Sequence, residues 1–87
     1  MNRTTSIRRL LDIVETRQRL PEPVDRRRIR QAAGLTLEEI GDALTVSADA
    51  VRLWELGARR PSNRYVATYV ALLESLASTT ERLRGER

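Results

Sequence analysis

Leu35-Thr36-Leu37-Glu38-Glu39-Ile40-Gly41-Asp42-Ala43-Leu44-Thr45-Val46-Ser47-Ala48-Asp49-Ala50-Val51-Arg52-Leu53-Trp54-Glu55-Leu56-Gly57 is the stretch that decides the fold. Thr36 followed three positions later by Glu39 is a capping box, in which each side chain reaches the other's backbone amide at a helix start. Leu35 and Ile40 bracket that cap with the spacing of a hydrophobic staple. Ile40, Ala43 and Leu44 then supply a short apolar stripe. After Thr45 the arrangement repeats: Ser47 is placed to cap, and Val46 is placed to staple against Val51. Val51 and Trp54 form the buried face of the second helix, and Gly57 ends it. Two short helices joined by a turn of three or four residues make a helix-turn-helix, spanning Thr36 to Leu56.

Outward from this centre the chain reads as helix on both sides. Ile7, Leu10, Leu11 and Val14 recur at helical spacing and predict an amphipathic helix over 4–20, with Arg8, Arg9, Asp12 and Glu15 on its other side. Pro21-Glu22-Pro23 breaks it, since proline lacks an amide proton and restricts the residue before it. A second helix is expected from Pro23 or Val24 to Ala33, stopped by Gly34. Arg59-Arg60-Pro61-Ser62 is a polar connection with Ser62 as a cap. Val66, Tyr69, Val70, Leu73, Leu76 and Ala77 follow one long stripe, widened by Tyr65, Leu72 and Leu83, with no break before Gly85. The expected architecture is all-α, five helices, with no strands and no repeats, and with disorder confined to the first few and last few residues.

Composition narrows the function. The 87 residues suit one domain with a modest core. The absence of cysteine excludes disulfides and thiolate metal sites, and the absence of histidine removes the commonest metal ligand and general base. The acids are scattered, so neither a catalytic nor a metal site is expected, and no cofactor. No apolar run approaches the roughly 20 residues of a membrane span, and no signal-peptide pattern precedes the first helix; a cytoplasmic, non-membrane protein is expected. All 16 basic residues are arginine, the side chain that best forks onto phosphate and guanine. The net charge of +4 is unevenly spread: +5 over residues 1–34, −4 over 35–56 and +3 over 57–87. Attraction to a nucleic acid must therefore come largely from the flanks of the motif.

Several elements coincide in order with one family. Ala32-Ala33-Gly34-Leu35-Thr36, Glu38-Glu39-Ile40-Gly41, Val46-Ser47, Trp54-Glu55 with Gly57, and Arg60-Pro61-Ser62 together resemble the Cro/CI-type (XRE-like) helix-turn-helix family over about residues 24–77. The resemblance implies a lambda-repressor-like domain carrying an extra N-terminal helix and a long C-terminal helix. It also implies a very small residue at Gly41 for close helix crossing, and an ion pair between Arg30 and Glu55. Trp54 is expected in the core. Thr45 stands where the family has a turn glycine, so either it takes a left-handed conformation or the turn differs.

By the same resemblance the second helix of the motif, about 47–56, lies in the major groove of double-stranded DNA. Base readout then falls to Ala48, Asp49, Arg52 and Leu53, with Leu56 beside them. Arg52 can fork onto guanine, Asp49 can accept from cytosine or complement the helix dipole, and Ala48 and Leu53 can pack on a thymine methyl. Backbone contacts are expected from Thr36, Leu37, Ser47, Arg59, Arg60, Asn63 and Arg64. Leu37 departs from the family's usual glutamine. Arg26-Arg27-Arg28 reads as a solvated helix face, with a DNA role as the alternative.

The function implied is a sequence-specific transcriptional regulator, a phage or prokaryotic repressor. The alternatives are an antitoxin-like or adaptor-like protein-interaction module, or a DNA-bending excision-type factor. No small-molecule ligand is evident. A homodimer is expected through the apolar stripe of the N-terminal helix or through the C-terminal helix, unless these two helices pack on each other and complete the core.

Overall fold

The computed structural model describes residues 3–86, and among these the secondary structure is five helices and no strand. They are α1 (Arg3–Arg19), α2 (Pro23–Ala32), α3 (Leu37–Leu44), α4 (Ala48–Leu56) and α5 (Asn63–Gly85). The disorder expected at the two ends does not extend into Arg3–Gly85, which begins and ends in helix; residues 1–2 and 87 lie outside the described residues.

The punctuation acts as its chemistry dictates. Pro23 opens α2 at a position where its missing amide costs nothing. Gly34 and Gly57 take left-handed φ values of 71° and 73°. The capping box at α3 is complete: Glu39 N donates to Thr36 Oγ1 at 3.0 Å, and Thr36 N donates to Glu39 Oε1 at 2.9 Å. Ser47 Oγ accepts from Ala50 N at 3.0 Å at the start of α4. Ser62 occupies the N-cap of α5 but makes no side-chain cap bond, contrary to expectation. The Tyr65 amide that a capping hydroxyl would take is already donated to the carbonyl of Ser62 at 2.9 Å.

Ile40, Leu44, Val51, Trp54, Val66, Tyr69, Val70 and Leu73 form the buried core, in which the Trp54 and Tyr69 rings pack tilted with centroids 4.9 Å apart. α4 packs on α2 and α3, while α5 packs on α1, α2 and α3. Gly41 makes the α3–α4 crossing possible. A Cβ placed there would meet Val46 O at 2.6 Å, which is backbone and has no easy way to yield. Thr45, with φ 61° and ψ 38°, carries the left-handed turn itself.

α1 departs from the expected pattern. It docks on α5, and its half-buried residues are Ile13, Thr16 and Arg17, with Leu20 half-buried just beyond its end. Arg17 donates to Asn63 Oδ1, and Arg19 pairs with Glu74 at 2.5 Å. The stripe of Ile7, Leu10, Leu11 and Val14 stays exposed, at 52–61 % of each residue's surface. At 3.6 residues per turn the two faces lie about 120° apart. The N- and C-terminal helices do pack together, but the predicted apolar stripe is not what joins them.

Candidate nucleic-acid interface

α4 presents Asp49, Arg52 and Leu56 to solvent, with Ala48 and Leu53 half-buried beside them. The helix is held from behind. Val51 and Trp54 anchor it in the core, and Glu55, whose side chain is 5 % exposed, takes two bonds from Arg30 at 2.6 and 2.9 Å. Arg30 also donates to Leu35 O at 3.0 Å, so one guanidinium ties α2, the α3 approach and α4 together. The bond to Glu55 holds the Arg30 pKa above its usual value, outweighing the burial that opposes it.

Arg26 supplies a second tie that its position in a run of three arginines disguised. It is buried, and it donates to Pro21 O at 2.7 Å and to Trp54 O at 2.9 Å. Burial pushes its pKa down. The expected solvated face of Arg26-Arg27-Arg28 is therefore divided. Arg26 is internal, Arg28 pairs with Asp25 at 2.9 Å, and Arg27 is exposed. Arg27 lines a notch of about 310 Å³ shared with Arg30, Leu37, Arg52, Glu55 and Leu56. It is thus a second cation beside the exposed face of α4, and its only sequence signal was its place in the run.

Arg52 is not free on this surface. Its Nε and Nη2 both donate to Asp49 Oδ1, at 2.9 and 2.8 Å. The pair lies in the open, with the side chains 50 % and 66 % exposed. Asp49 thus engages the guanidinium one turn along the helix through Nε and one Nη2 hydrogen, leaving the second Nη2 hydrogen and both Nη1 hydrogens to donate.

Thr36 and Ser47 stand at the N-termini of α3 and α4. Each hydroxyl accepts from its own helix and keeps its proton for an outside acceptor. Leu37 is half-buried against the core, so its backbone amide is the only group it can offer a phosphate. Arg59, Arg60 and Arg64 are exposed after α4, with Arg64 5.6 Å from the Tyr65 ring centre. Asn63 is exposed as well, but its carbonyl oxygen is engaged by Arg17. Sequence reasoning missed this because α1 falls outside the motif that placed Asn63. Among the described residues no group of three or more His, Cys, Asp or Glu is arranged to hold a metal, and no helix is long and apolar enough to cross a membrane.

A family model described as a helix-turn-helix domain matches residues 27–83. The chain belongs to the helix-turn-helix domain family. The match agrees with the XRE-like resemblance carried by the motifs, and such domains are DNA-binding modules. No curated protein and no solved structure matches the chain significantly. The helix-turn-helix match begins inside α2 and ends near the end of α5, so α1 lies outside it.

Proposed function

We propose that this helix-turn-helix protein is a sequence-specific transcriptional regulator that reads double-stranded DNA by laying α4 in the major groove, and that it acts as a Cro/CI-like repressor. The observation that carries the reading is the Asp49–Arg52 pair on the exposed face of a helix anchored from behind by Trp54, Arg26 and the Arg30–Glu55 bridge. A guanidinium held by a carboxylate on its own helix is pre-oriented, so less side-chain entropy is lost when it forks onto guanine O6 and N7. Ala48, Leu53 and Leu56 supply apolar surface for thymine methyl groups, and Arg27 flanks them. Thr36, Ser47 and the first amides of α3 and α4 meet phosphates, joined by Arg59, Arg60 and Arg64. As a repressor the protein acts by occupying its site and excluding the polymerase.

Selection of bound sequences from a random duplex pool tests this. The wild-type protein is expected to enrich a motif containing guanine, and Arg52→Ala to lose that preference at a cost of about 1–3 kcal/mol. Recovery of no motif by the wild-type chain would overturn the reading.

One feature favours a second reading. α3 carries Glu38, Glu39 and Asp42 with no cation of its own, an unfavourable approach to phosphate. A protein-interaction module on the same fold accounts for that acidity. It requires a co-purifying protein whose binding survives Arg52→Ala and a chain that shows no duplex preference.

A further inference from the structure

We infer that the exposed stripe of α1 is a homodimer interface, at which two copies of the chain pair through antiparallel α1 helices. The stripe is four aliphatic side chains, Ile7, Leu10, Leu11 and Val14, each more than half exposed. Among the described residues no other helix covers it: α1 packs on α5 through the face some 120° away, and of the four only Val14 borders a cavity, shared with Arg60 and Pro61. α1 also lies outside the residues matched by the helix-turn-helix family model, so the stripe is an addition to the DNA-binding module and not part of its core.

Charge decides the occupant and its direction. Arg8 and Glu15 lie two turns apart on one flank of the stripe, and both are exposed. A two-fold axis passing between Leu10 and Leu11 sets Ile7 opposite Val14 of the second copy and Leu10 opposite Leu11. Under that axis each flank meets the same flank of its mate. Arg8 then comes within about 3 Å along the helix axis of the second copy's Glu15, and the contact is made twice. A parallel pair would turn this flank toward the Ile13–Arg17 side, which α5 already occupies. The stripe is therefore self-complementary only when reversed. A groove between the ends of α2 and α5 is lined by Ala32, Ala33, Leu35, Leu76 and Leu83, with Arg84 as its one charged side chain. It carries no comparable charge match. Four side chains make a small interface, so the pairing is reversible and concentration-dependent. It does not depend on the DNA reading, because it is made by a helix outside the reading head.

Sedimentation equilibrium of the full chain, without DNA, over a range of concentrations tests the proposal. The wild type is expected to show a monomer–dimer equilibrium, and Leu11→Asp to remain monomeric with its helical circular dichroism intact. Arg8→Glu and Glu15→Arg alone are each expected to weaken dimerisation by about tenfold, and the double variant Arg8→Glu/Glu15→Arg to restore it. The two residues are seven apart on one helix and do not touch, so restoration reports pairing between chains. A chain that stays monomeric at all concentrations overturns the proposal. So does a double variant no better than the singles, or a dimer abolished by Leu83→Asp but not by Leu11→Asp.

Discussion

Tyr69 shows how much one buried side chain is asked to do. Its ring completes the packing against Trp54, while its hydroxyl is buried with no hydrogen-bond partner among the described residues. Burial, helped by the nearby Glu55 carboxylate, pushes its pKa up from 10.0 to about 12, against the opposing pull of Arg26 and Arg30. A phenol whose folded pKa is raised holds its proton longer in the native state than in the unfolded one. Its contribution to stability is complete below pH 10 and is lost as pH rises through about 12. Urea unfolding at pH 9 and pH 11.5 is expected to show a loss of about 2 kcal/mol in the wild type beyond that seen in Tyr69→Phe. Equal losses in the two proteins would show that the phenol is not the responsible group. At neutral pH Tyr69→Phe is expected to be neutral or stabilising, since it removes an unpaired buried hydroxyl and keeps the ring. Arg26 and the Arg30–Glu55 bridge differ in kind from this. Each satisfies buried carbonyl or carboxylate oxygens, so breaking either leaves stranded polar atoms on or beside α4.

Among the elements, the α3–α4 turn is where geometry is tightest. Gly41 allows the close approach, and Thr45 accepts a left-handed backbone that its β-branched side chain disfavours. The Thr45 hydroxyl offsets part of the strain by donating to Leu44 O. Thr45→Gly is expected to raise stability by about 1 kcal/mol, seen as a rise in Tm of roughly 4–8 °C for a domain of this size. A fall in Tm would mean that the hydroxyl bond outweighs the strain. The helix boundaries were legible from sequence because caps and breakers act within a few residues: Thr36, Glu39, Ser47, Pro23, Gly34 and Gly57 all act locally. Ser62 shows the limit of such reading, since its placement at a helix start was correct but the amide it was to cap bonds to its own carbonyl.

On the scale of the whole molecule, charge and shape are divided between regions. α4 has one arginine, already paired with an aspartate; Arg27 lines the notch beside it, and the exposed Arg59, Arg60 and Arg64 follow it in the chain. The proposed function therefore assigns affinity and specificity to different residues. The logarithm of DNA affinity is expected to fall linearly with the logarithm of salt concentration, and Arg59→Ala/Arg60→Ala to make that slope shallower by about 2 without changing the preferred sequence. A filter-binding salt series on wild type and variant measures both quantities. A changed motif in the double variant would move these arginines from backbone to base contact. The candidate site was only partly legible in the sequence. Arg52 and Asp49 were both singled out, but their bond to each other was not, and Arg27 could not be distinguished from Arg26 and Arg28 by spacing alone.

The sequence by itself determined the five helices, the helix-turn-helix at Thr36 to Leu56 and the core position of Trp54. Caps, glycines, prolines and hydrophobic period act over one or two turns and leave their mark in neighbouring residues. The tertiary structure decided which of three consecutive arginines is buried, which face of α1 meets α5, and that Asn63 is held by Arg17. Each of these depends on groups brought together from elements distant in the chain. A helical period shows that an apolar face exists, and only the packing of the other helices shows whether the chain covers that face itself.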